Sequence, residues 1–101
     1  MAKKLGIFVS SNKHLDQLLA LCHAAKRKGV DVRVFFTHEG TLLTQHPRFG
    51  EMDGLARMSV CNVSFESHGL KPPVRGIGGK DHATQARNAE MLEDCDRYVV
   101  F

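Results

Sequence analysis

The segment Leu5-Gly6-Ile7-Phe8-Val9 is an uninterrupted apolar run near the start of the 101-residue chain. Such a run is typical of a strand buried on both faces, as in a parallel sheet covered by helices. The polar residues Ser10-Ser11-Asn12 interrupt it, and apolar side chains then recur at helical spacing over Lys13–Lys28. Val30–Phe36, rich in β-branched and aromatic residues, predicts a second strand. Strand, helix and strand in this order indicate a parallel βαβ unit.

The rest of the chain continues the alternation of strands and helices. The further elements that we expect are a short helix over Glu51–Arg57, a strand Met58–Val60 that ends at Cys61, a short helix capped by Asn62 or Ser64, a long loop over Leu70–Gly79, a helix over Asp81–Asp94 and a last strand Arg97–Phe101. This pattern predicts a single α/β domain over residues 1–101. Its architecture should be a three-layer, open, mostly parallel sheet flanked by helices, a variant of the flavodoxin-like arrangement.

Composition and charge narrow the class of protein. Fourteen Lys and Arg against eleven Asp and Glu give a formal charge of +3, and the cations are spread along the chain, so nucleic acid is not an expected partner. No apolar run approaches the ~20 residues that cross a bilayer. The three cysteines are far apart and form no CxxC motif, which favours a reducing compartment and predicts a cytoplasmic protein.

Cys61 is the strongest candidate for chemistry, because ligands of open α/β sheets sit at the carboxyl ends of the strands. A helix that starts beside the thiol favours the thiolate, and His38 or His68 would stabilise it further if protonated. A carboxylate at Glu66, one helical turn on, would disfavour it. Position alone leaves a buried structural cysteine as an equal alternative. Cys22 and Cys95 are expected to be structural.

Other residues support weaker hypotheses. Ser10, Ser11 and Asn12 follow the first strand and could bind an anion, although they lack a glycine-rich spacing. The six histidines form no tight pair, so we expect no metal site and no cofactor. The chain has more large aromatic groups than so small a core obviously needs, which favours a buried subunit interface in an oligomer. These aromatic residues are Phe35, Phe36, Phe49, Phe65 and Phe101.

Three stretches together resemble the DsrE-like sulfur-relay family, which includes DsrE/DsrF-like and TusD-related proteins. Val34-Phe35-Phe36-Thr37-His38-Glu39-Gly40 resembles the family's apolar-aromatic strand followed by Glu-Gly. Ser59-Val60-Cys61 with Gly69-Leu70 resembles the strand that holds its sulfur-accepting cysteine and the helix that follows. Cys95-Asp96-Arg97-Tyr98-Val99-Val100-Phe101 resembles its closing strand. The likeness covers nearly the whole chain in the same order.

The resemblance implies an intracellular sulfur carrier, sulfurtransferase-like, that accepts and passes persulfide sulfur on Cys61. It implies sulfur-donor and sulfur-acceptor proteins as partners, no cofactor, and a homo-oligomer (trimer or hexamer) or a hetero-oligomer with related subunits. Asn62 and Ser64, like His38 and His68, are then expected to tune the thiolate. The alternative hypothesis is a non-catalytic homo-oligomeric interaction module or a small-ligand-binding module.

Overall fold

The computed structural model describes residues 3–101 and shows an alternation of strands and helices. The strands are β1 (Lys4–Val9), β2 (Asp31–Phe36), β3 (Arg57–Cys61), β4 (His82–Ala83) and β5 (Arg97–Val100). The α-helices are α1 (Leu15–Arg27), α2 (Asn62–Ser67) and α3 (Gln85–Asp94), and 3₁₀ turns occupy His38–Gln45, Phe49–Met52 and Gly79–Asp81. No helix among these residues is long and apolar enough to cross a membrane.

The five strands form one open sheet in the order β4-β3-β2-β1-β5. Every neighbouring pair is parallel, so the predicted α/β fold with an open sheet flanked by helices is confirmed. Because all the strands run the same way, their carboxyl ends lie along a single edge of the sheet. Strands β1 to β4 lie side by side in chain order, and β5 pairs with the other side of β1.

The larger core lies on one face of the sheet, beneath α1, α2 and the first two 3₁₀ turns. Side chains alternate between faces along a strand, and those that enter this core include Ile7, Val9, Val32, Val34 and Val60, which pack against Leu15, Leu18, Leu19 and Cys22 of α1. Burying each such side chain stabilises the fold by roughly 1.5–3 kcal/mol relative to leaving it exposed.

Four of the five phenylalanines expected at a subunit interface are instead buried in the monomer. Phe35, Phe36 and Phe65 are fully buried, and Phe49 is nearly so. Phe36 and Phe49 pack edge to face, with ring centroids 5.5 Å apart. The interface interpretation was wrong for these residues because α1 and α2 cover one face of the sheet and α3 covers the other, so the monomer itself buries large side chains on both faces.

The helix α3 covers the opposite face of the sheet. Met91 of α3 packs there against Phe35 and Cys61, with Phe8 beside them. Tyr98 of β5 also reaches α3, where its hydroxyl donates a hydrogen bond to the side-chain carbonyl of Asn88. This layer is thin, and it is the layer on which the Cys61 side chain lies.

Two predicted helices were wrong in part. Residues 51–57 contain the end of a 3₁₀ turn, a turn and the start of β3 rather than a helix. The helix expected from Asp81 begins only at Gln85, where the Thr84 hydroxyl accepts a hydrogen bond from the Ala86 N–H and caps it. The residues before it form β4, because His82 and Ala83 pair with Val60 and Cys61, a tertiary contact that overrides local helix propensity.

The boundaries of the other elements differ less from the predicted ones. The first helix begins at Leu15 and is preceded by His14, so Ser10-Ser11-Asn12 do not cap it. The predicted loop over Leu70–Gly79 contains no helix before the 3₁₀ turn that begins at Gly79, and it is anchored to the main core by Val74 and Ile77. A loop that buries two apolar side chains is held against the body of the domain.

The carboxyl-terminal edge of the sheet depends on a close backbone approach at Gly40. Its N–H donates to the carbonyl of Ser10 at 3.2 Å and to that of Thr37 at 2.9 Å. A Cβ atom at this position would lie 2.2 Å from the carbonyl oxygen of Val9. The segment after β2 can therefore pack against the end of β1 only with glycine here.

We predict that Gly40→Ala destabilises the protein by about 2–4 kcal/mol, because backbone atoms of β1 must move to admit the methyl group. Gly79→Ala is the matched control, since a Cβ there meets no atom within 4 Å, and we expect it to change stability by less than about 1 kcal/mol. Urea denaturation followed by circular dichroism measures both. Equal stability of the two variants would contradict the close packing described for Gly40.

Candidate functional site

Cys61 is the last residue of β3 and directly precedes the first residue of α2. Strand alternation turns its side chain toward α3, on the same face as Phe35, and the residue is only 5% exposed. No side-chain capping hydrogen bond forms at Cys61. The sulfur is therefore a sheltered group at the carboxyl edge of the sheet, and its chemistry is set by the few polar groups around it.

Three strand ends bring those groups together. The pairing of Phe36 with Val60 places Thr37 beside Cys61, and the pairing of Cys61 with Ala83 brings the start of α3 to the same place. The Gln85 amide donates a hydrogen bond to the Thr37 hydroxyl at 2.9 Å. The hydroxyls of Thr37 and Ser64 lie 3.3 Å apart. These polar groups form a small hydrogen-bonded cluster around the thiol.

The pKa of Cys61 reflects a competition between burial and hydrogen bonding. Burial by itself raises the pKa, but the donor groups around the sulfur outweigh it, so the pKa lies below the ordinary thiol value; these donors are the Ser64 N–H, the Ser64 hydroxyl, the Gln85 amide and the Thr37 hydroxyl. Donors that point at a charged group favour its charged form. The cluster therefore stabilises the thiolate, which is the nucleophilic form of cysteine.

The carboxylate of Glu66 does not oppose this effect in the way that the sequence suggested. Glu66 is exposed, and its carboxylate accepts a hydrogen bond from the Asn62 amide at 3.1 Å. Asn62 is the first residue of α2 rather than its cap, so the expected capping role was wrong. Asn62 instead acts on Glu66, holding the acidic side chain on the outer surface of α2.

The two histidines reach Cys61 only through other residues. The His38 ring Nδ1 lies 3.0 Å from the Thr37 hydroxyl, and the His68 ring Nδ1 lies 2.8 Å from the Ser64 carbonyl oxygen. With a proton on Nδ1, His38 donates to Thr37 and leaves the Thr37 hydroxyl proton free to turn toward the sulfur. His38 thus adjoins the cluster, while His68 binds the backbone of α2.

The proposed anion loop Ser10-Ser11-Asn12 is separate from this cluster. The Ser10 N–H donates to the Phe101 carbonyl at 2.9 Å, and its hydroxyl contacts the same oxygen at 3.4 Å. The Ser11 hydroxyl accepts from the Lys13 N–H at 3.2 Å. Since the serine groups are used to hold the chain itself, they do not form an open cradle for an anion.

The other cysteines lie elsewhere and remain free thiols. Cys22 is fully buried in the main core, and burial raises its pKa to about 11. Cys95 follows α3 and its pKa is also raised, first by burial and then by Asp94 and Asp31 against the opposing charge of Arg33. Within residues 3–101, no group of three or more His, Cys, Asp or Glu side chains is arranged to hold a metal ion.

Sequence reasoning missed Thr37 and Gln85, which both lower the pKa of the Cys61 thiol. Thr37 was detectable in principle, because it directly follows the strand that neighbours β3. Gln85 was not, since its position depends on β4, a two-residue strand with no periodicity of its own.

Comparison with protein-family models, with curated proteins and with solved structures gives no match to this chain.

We predict that Ser64→Ala and Gln85→Ala each raise the pKa of Cys61, because each removes a donor that favours the thiolate. The rate of Cys61 alkylation by iodoacetamide against pH, followed by peptide mass spectrometry, measures the change. Gln17→Ala, at an exposed position of α1, is the control and should leave the profile unchanged. Identical profiles for all three variants would show that the cluster does not set the reactivity.

Proposed function

We propose that the protein is a sulfur carrier that accepts and passes persulfide sulfur on Cys61. In the accepting step, the Cys61 thiolate attacks the outer sulfur of a donor persulfide. A bond forms between the Cys61 sulfur and that outer sulfur, the sulfur–sulfur bond of the donor breaks, and the donor departs as a thiolate. The reverse chemistry, with an acceptor thiolate attacking the outer sulfur on Cys61, passes the sulfur on. Neither step needs an oxidant or a reductant.

The observation that most supports the proposal is the lowered pKa of a sheltered thiol. Burial alone raises the pKa of a cysteine, as it does for Cys22. A cluster of donors that reverses this effect has no evident use in packing, whereas it favours a nucleophilic thiolate at neutral pH.

The placement of the other cysteines also favours a carrier over an internal disulfide. Cys95 lies against Gly6 of β1. Gly6 is paired with Arg33 of β2, and Arg33 is paired with Arg57 of β3, which lies four residues before Cys61. At the usual spacings, Cys95 is about 13 Å along the strands and about 10 Å across them from Cys61. Cys22 lies in the core on the other face of the sheet. A persulfide on Cys61 therefore has no neighbouring thiol to discharge it.

Access to the sulfur involves Gln85. This residue is exposed while Cys61 is buried, so the Gln85 amide links the thiol to the molecular surface. We propose that a donor or acceptor protein docks at this edge and displaces the amide as it presents its own sulfur. Membership of the DsrE-like family, assembly into a trimer or hexamer and a cytoplasmic location belong to the same proposal.

We predict that incubation with a low-molecular-weight persulfide donor adds about 32 Da, one sulfur atom, to the Cys61 peptide. Intact and peptide mass spectrometry after alkylation locates the adduct. Cys61→Ser should remove the adduct, while Cys95→Ser, at a thiol whose pKa is raised, should retain it. The proposal fails if Cys95 and Cys61 take up sulfur equally, or if only Cys61 stays unmodified.

A further inference from the structure

A cleft of about 490 Å³ opens on the α3 face of the sheet, next to the edge of β3. It exists because β4 pairs only with Val60 and Cys61, which leaves the first part of β3 without a neighbouring strand. Ser59 and Met91 line the cleft, with Gly76, Lys80 and Asp81 on one side and α3 on the other. Its volume falls in the range of roughly 300–1,000 Å³ that is usual for small-molecule sites.

Two arginines lie side by side in this cleft. Arg33 of β2 and Arg57 of β3 are register partners in a parallel pair, so their side chains leave the same face of the sheet. Like charges directly opposite each other on neighbouring strands are destabilising. Arg33 is compensated by Asp94 at 2.9 Å and more weakly by Asp31 at 3.7 Å. Arg57 forms no ion pair within residues 3–101.

Besides Arg57, the cleft contains a second cation without an ion pair among the described residues, Lys80. Arg87 of α3 is paired with Asp81 at 3.0 Å, but Lys80 beside it forms no ion pair in the part of the chain described. Of the acidic residues in the cleft, only Glu90 is left to balance Arg57 and Lys80. The buried Nε of Arg33 also lacks an acceptor in the protein. The cleft therefore has more donors and positive charge than its own acceptors satisfy.

We propose that this cleft binds a small molecule bearing an oxyanion, a phosphate or carboxylate group, held between Arg57 and Lys80. Guanidinium groups bind both kinds of oxyanion through paired hydrogen bonds, and lysine adds a point charge. An anion there relieves the repulsion between Arg33 and Arg57. The apolar side of the ligand rests on Met91, which also packs against Cys61. The site is adjacent to the thiol but does not require its chemistry.

Binding of inorganic pyrophosphate and of citrate to the 101-residue chain tests the proposal, by calorimetry and by thermal unfolding at constant low ionic strength. At least one probe should bind saturably and raise Tm, because a ligand that binds only the native state stabilises it. A preference for pyrophosphate would indicate a phosphate ester as the natural ligand, and a preference for citrate a polycarboxylate. Cys61→Ser should bind as the unmodified chain does, which separates this proposal from the sulfur-carrier function.

Variants show whether the cleft is the binding site. Arg57→Gln and Lys80→Gln should each weaken binding at least about fivefold, since each removes a charge-assisted donor, and Glu90→Gln should strengthen it. Arg97→Gln, at an exposed arginine of the opposite edge strand β5, is the control and should bind normally. Without ligand, Arg57→Gln should not lower Tm, because it removes a like-charge contact. Absence of saturable binding, or an equal loss in Arg97→Gln, would overturn the proposal.

Discussion

The parallel register of β2, β3 and β4 is the constraint on which the rest of this structure depends. Pairing of Phe36 with Val60 and of Cys61 with Ala83 brings three chain segments to one point on the sheet edge. A one-residue slip would turn the Cys61 side chain to the other face, into the main core and away from Gln85. The chemistry of the site is thus a consequence of strand register. At the same edge of the sheet, Gly40 allows the segment after β2 to pack against the end of β1.

Cys22 and Cys61 show what the hydrogen-bonded cluster contributes. Both residues are buried, at 0% and 5% exposure. The pKa of Cys22, with burial as its only resolved influence, rises to about 11, whereas that of Cys61 is lowered despite its burial. The difference lies in the donors around the sulfur. A sheltered thiolate keeps its nucleophilic form and is less accessible to disulfides and other electrophiles in solution.

Apolar periodicity was sufficient to predict the fold, because β1, α1 and β2 are long enough to show their periods and buried enough to need them. The site was predictable only as far as Cys61. The contacts of Thr37 and Gln85 depend on the register of β3 with its two neighbours, and β4 is too short to be seen in sequence. The direction of Glu66 depends on its hydrogen bond to Asn62, which residue spacing alone does not determine. The prediction that the phenylalanines form a subunit interface failed because a sheet covered on both faces buries more large side chains than the chain length suggests.

The donor groups at the sheet edge, acting against burial, make Cys61 the most acidic thiol of the three. A pH titration of the folded protein with ¹³C-labelled cysteine, following each Cβ resonance by NMR, tests it directly. We expect Cys61 to deprotonate first, below the ordinary pKa of a thiol, with Cys95 later and Cys22 last, near pH 11. Deprotonation of Cys61 at or above the pH at which Cys95 titrates would contradict it.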